Sequence, residues 1–159
     1  MRKFIFALLL ILTCSAQANA AAQVDPNAVL PVETLKIVTG SGEFKFSIEI
    51  ADEPNEHQVG LMHRQTMLPT HGMMFEFNEI RVVNMWMKNT PLSLDMVFIK
   101  PDGTVERIAR NTVPFSTSIV SSFTPVSHVL ELNAGTALQI GLKPGDQLFH
   151  KMFNVKSQN

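Results

Sequence analysis

Cysteine is almost missing from this chain of 159 residues: Cys14 is the only one. Long apolar runs are just as scarce. The one unbroken stretch, Phe4 to Leu12, is far short of the roughly 20 residues a helix needs to cross a bilayer. Basic clusters are absent beyond Arg2-Lys3, and the formal charge is −1, so no electrostatic footprint for nucleic acid is present. No G-x-S-x-G elbow, H-E-x-x-H pair, P-loop or dinucleotide-binding glycine pattern occurs, which removes the recognisable catalytic classes. What remains is a chain with 45% hydrophobic and 17% charged residues, a composition that folds and that excludes disorder, collagen and coiled coil.

The positions of the few unusual features suggest a destination. Arg2 and Lys3 form a positive head before the apolar run, and Ala18-Asn19-Ala20 offers small residues where a signal peptidase reads, so residues 1–20 are expected to be a cleavable signal peptide. Cys14 then leaves with the signal. Thr13 before it is larger than lipoprotein processing prefers, which argues against a lipid anchor. The expected product is an exported, periplasmic protein that does not span the membrane and carries no cysteine, hence no disulfide, thiolate nucleophile or thiolate metal site. Its formal charge falls to −3, because 11 basic residues remain against 14 acidic.

Residues 21–34, with Pro26 and Pro31 and no periodicity, read as a flexible leader; 35–153 as a single domain; 154–159 as a tail. Within the domain, Leu35–Thr39 and Glu43–Ile50 flank Gly40-Ser41-Gly42, and Phe44, Phe46, Ile48 and Ile50 alternate with polar residues, the mark of a hairpin with one wet face. Pro54 opens a helix expected to end near Met62–Arg64. Strands are expected over Met73–Phe77, Arg81–Lys88, Leu92–Lys100, Thr104–Arg110, Val126–Leu132 and Gln147–Phe153, with a second short helix ending at Gly141. About eight short strands joined by hairpin-length connections predict a mainly β fold, a small curled or closed antiparallel sheet with one or two short helices. Asn111–Pro125 reads as a long loop, which either covers or completes a site or is an ordinary surface excursion anchored by Phe115, Ile119 and Phe123.

Asp95 and Glu131 each interrupt an apolar strand, so each faces solvent or is buried with a partner; Arg64, Lys88 and Asn89 are the natural counterparts of Asp95. Trp86-Met87-Lys88-Asn89-Thr90 gathers the only tryptophan, a cation, an amide and a hydroxyl at a strand end, which suits either a pocket wall or a core residue followed by a turn. His128 and His150 read most simply as surface or satisfied strand residues.

These residues also carry a resemblance. Gly60-Leu61-Met62-x-Arg64, Gly72-Met73-x-Phe75, Trp86 to Thr90, Leu94-Asp95, Phe98-Ile99, Val129 to Gly135 and Gly145-Asp146, in this order and spacing, resemble the domain of unknown function 192 family. The resemblance implies a small β-rich exported or membrane-associated domain with no established activity, and marks Arg64, Trp86, Asn89, Thr90, Asp95 and Glu131 as its polar and aromatic signature without catalytic roles.

Seven methionines fall between Met62 and Met96, together with His57, His63 and His71. Thioether and imidazole ligands suit Cu(I), with His71, Met73 and Met74 the candidate ligands; the competing reading is core packing, with no cofactor. Three functions therefore stand side by side. The first is an exported accessory domain that binds a small or polymeric ligand of the cell envelope through Arg64, Trp86, Lys88, Asn89, Thr90, Asp95 and Glu131. The others are a hydrolase-like enzyme using Asp95 and Glu131, and a copper-binding protein.

Overall fold

In the computed structural model, residues 30–153 are described. The expected signal peptide with Cys14, most of the leader and the tail lie outside them. Seven strands are formed: β1 Val32–Thr39, β2 Gly42–Ala51, β3 His71–Met85, β4 Leu94–Ile99, β5 Val105–Ala109, β6 Val120–Asn133 and β7 Gln147–Phe149. Two short helices, α1 Pro54–Val59 and α2 Thr136–Gln139, complete the domain.

The strands make one sheet in the order β5-β4-β6-β3-β2-β1-β7. It curls until its two edges meet: Thr104, just before β5, bridges Gln147, and the Val105 N–H donates to the Asp146 carbonyl at 2.9 Å. The curl thus pairs part of each edge that would otherwise be left open. The sheet is antiparallel except where β2 and β3 run parallel, joined by a connection containing α1. That crossover spans about twenty residues, long enough to return the chain to the same end of the sheet.

Seven strands replace the expected eight because Met73–Phe77 and Arg81–Met85 belong to a single strand. Two register breaks against β6, between Glu76 and Arg81 and between Val82 and Asn84, bend the paired β3 and β6 as they continue past the main sheet. Residues 120–125, expected as loop, are therefore strand. β1 likewise starts at Val32, inside the expected leader.

Strand alternation sorts the core into two clusters. One, built on Leu35, Ile37, Ile48, Met74, Val97, Leu130 and Leu132, fills the concave side of the sheet and takes in Ala137 and Ile140 from α2. The other, built on Met73, Phe75, Met96, Phe98 and Val129, lies on the convex side, under Leu61, Val83, Met87 and Val126 from the segments that fold over it. Every residue of β4 is consequently buried, and neither of its faces is wet.

Candidate functional site

The two interior carboxylates have different fates. Asp95 is 0% exposed and points to the concave side. Its Oδ1 accepts the Asn111 N–H at 2.9 Å and its Oδ2 accepts the Ala137 N–H at 2.9 Å, so it ties the start of the long loop to the first turn of α2. Two hydrogen bonds from backbone donors, one to each oxygen, satisfy it without a cation. Arg64 is not its partner, contrary to expectation: the guanidinium forks onto both carboxylate oxygens of Glu49, on β2. Lys88 and Asn89 do not reach Asp95 either; Lys88 Nζ lies 5.2 Å from the centre of the Trp86 ring, and Asn89 Nδ2 approaches Met62 Sδ at 3.8 Å.

Asp95 and Glu131 do not form a catalytic pair. Asp95 is opposite Leu132 and Met96 opposite Glu131 in the β4–β6 ladder, so alternation sends the two carboxylates to opposite faces of the sheet. The proposed copper triad fails for the same reason. Met73 packs in the convex cluster and Met74 in the concave one, both buried among apolar side chains, so His71, Met73 and Met74 cannot converge on one ion. Among the described residues no cluster of three His, Cys, Asp or Glu side chains forms either.

Glu131 is the exceptional group. In the sheet it lies between Met73 and Met96, and it is 4% exposed. Burial pushes its carboxyl up to about 8, and no hydrogen bond or charge among the described residues offsets that burial. An unpartnered interior acid is costly unless it stays protonated, so Glu131 is a neutral carboxylic acid over most of the physiological range.

What it faces is a cavity of about 80 Å³, shared with Met62, Phe75, Met85, Trp86 and Thr90. Local structure explains why these residues meet. The Gly60 backbone, at φ 47°, ends α1 and turns Leu61 inward; a Cβ there would come within 2.9 Å of the Phe75 ring. Gly72 lets β3 pass close to β6, since its Cβ would sit 2.7 Å from the Glu131 carbonyl oxygen. The turn at Met62–Arg64 then docks on the turn after Trp86 through the His63 N–H and the Asn89 carbonyl, 2.8 Å apart. His57, from α1, completes one wall: its Nε2 is 3.0 Å from the Ala51 carbonyl and its ring centre is 4.8 Å from that of Phe77. Trp86 stands at the mouth, 44% exposed.

Of the seven expected binding residues, Trp86, Thr90 and Glu131 line this cavity, and Arg64, Lys88, Asn89 and Asp95 do not. Arg64 borders a separate, more open hollow of about 290 Å³ with Glu49, Met67, Leu68 and His71. His57, Gln58 and Asn84 are lining residues that pattern reading did not single out as a binding set. The folding of α1 onto the convex face brings His57 and Gln58 there, and β3 past its register breaks brings Asn84, although Gly60-Leu61-Met62 pointed to that corner. The loop after β5 does lie against the same region: Met87 N–H donates to Ser116 O at 2.9 Å and Phe115 N–H to Thr90 O at 3.1 Å. Phe115 in this loop, 62% exposed, and Phe123 on the first part of β6, 72% exposed, point to solvent and do not close the site. His128, expected at a surface or satisfied, is buried beside Phe153, with Nδ1 2.7 Å from Ser127 Oγ and Nε2 without a hydrogen-bond partner among the described residues. Burial, reinforced by nearby His150, lowers it to about 4.

A curled, mostly β sheet with a half-enclosed cavity on its convex side defines the class of protein. The chain belongs to the domain of unknown function 192 family, an uncharacterized ACR, whose profile matches residues 36–150. It is similar to a proposed transcription regulator from Sinorhizobium meliloti 1021, at 47% identity and a TM-score of 0.75, over 77% of this chain and 95% of that one. It is also similar to a protein of unknown function from Novosphingobium aromaticivorans DSM 12444, at 34% identity and a TM-score of 0.76, over 83% and 94% of the two chains. No curated protein matches. Gly60, Leu61, Met62, Phe75, Trp86, Thr90 and Glu131, all within the motifs that carry the family resemblance, line the cavity above Glu131 together.

Proposed function

We propose that this protein is an exported ligand-binding module whose site is the cavity above Glu131. The observation that carries the reading is an interior carboxyl, without a partner among the described residues, opening into a cavity with an aromatic side chain at its mouth. Folding gains nothing from such a group, and a binding site gains a polar anchor inside apolar walls. Export is supported by the charged head, apolar run and small-residue cleavage site of residues 1–20. Among the described residues no helix is long and apolar enough to cross a membrane. A role in transcription, suggested by the description of the Sinorhizobium relative, gains no support from a chain of formal charge −1 without a basic cluster.

A thermal-shift screen of small molecules on the mature domain tests the proposal, since a compound that binds only the native state raises the melting temperature. Trp86 is the only tryptophan, so a compound bound at this site must also change the intrinsic fluorescence. Stabilising compounds that leave Trp86 emission unaltered would move the site elsewhere.

A further inference from the structure

The proposed binding site also has a chemical preference. We infer that the cavity takes the ammonium end of a small aliphatic amine, held by Glu131 as a carboxylate, with one proton released on binding; this rests on the cavity above Glu131 being the binding site. The hydrogen-bonding capacity left free in the cavity wall favours a donor. The Thr90 hydroxyl donates to the Lys88 carbonyl at 3.1 Å, leaving its lone pairs. His57 Nε2 is 3.0 Å from the Ala51 carbonyl, which needs the N–H at that nitrogen, and in that tautomer Nδ1 is an acceptor. Met62 and Met85 bring thioethers, Trp86 and Phe75 bring π faces, and Glu131 brings the carboxyl. The wall offers these acceptors beside four donor groups, the amides of Gln58 and Asn84, the Trp86 indole N–H and the Glu131 proton.

Charge favours the same ligand. No lysine or arginine lines the cavity, so an anion would meet no counter-charge beside a carboxyl. A cation meets the carboxylate inside and the indole at the entrance, both attractive to it. The apolar walls, Val59, Leu61 and Phe75, suit an alkyl stem.

The proton balance follows. The Glu131 O–H bond breaks, the carboxylate pairs with the ammonium that arrives already protonated, and the proton leaves to solvent. Facing Glu131 from the neighbouring strands are the uncharged Met73 and Met96. From α1 comes His57, and beyond the indole of Trp86 comes Lys88, the other titratable groups near the cavity.

The probes are butylammonium chloride, butanol and sodium butyrate at matched ionic strength, read by Trp86 fluorescence. Butylammonium is expected to saturate, with an apparent Kd that falls about tenfold per pH unit from about pH 6 to 8 and then levels. Glu131→Gln is expected to abolish this binding. If that variant does not fold, the pH series on the unaltered protein still decides. Saturable binding of butanol or butyrate in place of butylammonium would overturn the cation assignment and leave the cavity as the binding site. Butylammonium binding that is independent of pH would overturn the proton-coupled pairing with Glu131. No response to any of the three would overturn the inference, and the wider ligand screen would then judge the cavity separately.

Discussion

Replacing Glu131 by glutamine keeps the shape of the side chain and removes its titration. The native carboxyl ionises at about 8 and an unfolded one at 4.5. Between those values the folded chain holds a proton that the unfolded chain has lost, so stability falls as pH rises through that range. At about 1.4 kcal/mol per pH unit, the whole interval amounts to about 5 kcal/mol, reached near pH 8 and not increasing beyond it. His128 has the opposite sign: its native value of about 4 lies below 6.5, and its contribution is lost as pH falls from 6.5 toward 4. The two oppose each other on the acid side and separate above pH 6.5, where His128 is neutral in both states. Urea denaturation from pH 6.5 to 8 should therefore show the unaltered domain losing about 2 kcal/mol to Glu131. That loss should vanish in the Glu131→Gln variant, which should be the more stable protein at pH 8. Identical pH profiles for the two proteins over this window would refute the account of Glu131 as a buried, unpartnered acid.

Asp95→Ala should destabilise the domain by about 3 kcal/mol in the same denaturation assay, because it leaves the buried Ala137 N–H and the part-buried Asn111 N–H without acceptors and empties the space of an interior side chain. Asp95→Asn, which retains one acceptor oxygen, should cost less. Gly72→Ala should cost about 1–3 kcal/mol, since the new methyl meets the Glu131 carbonyl oxygen and Leu132 Cδ2 at 2.7 and 2.8 Å; an unchanged melting curve would mean that β3 and β6 can separate freely. Arg64→Met should lower stability by about 1 kcal/mol by breaking the half-buried fork to Glu49, and Asp95-dependent stability should be unaffected by it, as a double-mutant cycle would show. His128→Phe should reduce the loss of stability between pH 6.5 and 4 relative to the unaltered protein, measured by thermal melts across that range.

Much of the domain follows from local pattern. The strict alternation from Glu43 to Ile50, the turn at Pro101-Asp102-Gly103 and Pro54 at a helix start each act over a few residues, and the β2 strand, the β4–β5 hairpin and the start of α1 lie where those signals put them, whereas α1 ends at Val59, short of the expected Met62–Arg64, because Gly60 at φ 47° stops it. The parallel pairing of β2 with β3, the fusion of two expected strands into β3 and the strand character of Val120–Pro125 depend on partners distant in sequence, which local pattern does not encode. The site divides in the same way. Glu131 and Asp95 were visible as acids in apolar strands, because an interior charge contradicts its neighbours wherever it falls. Whether such an acid is satisfied is decided only when the chain closes: two backbone N–H groups, 16 and 42 residues further along the chain, converge on Asp95, and none among the described residues reaches Glu131. Strand alternation then sends the two acids to opposite faces. The folding of α1 and the Trp86 turn over the convex face gives Glu131 a cavity, where Asp95 has a helix end.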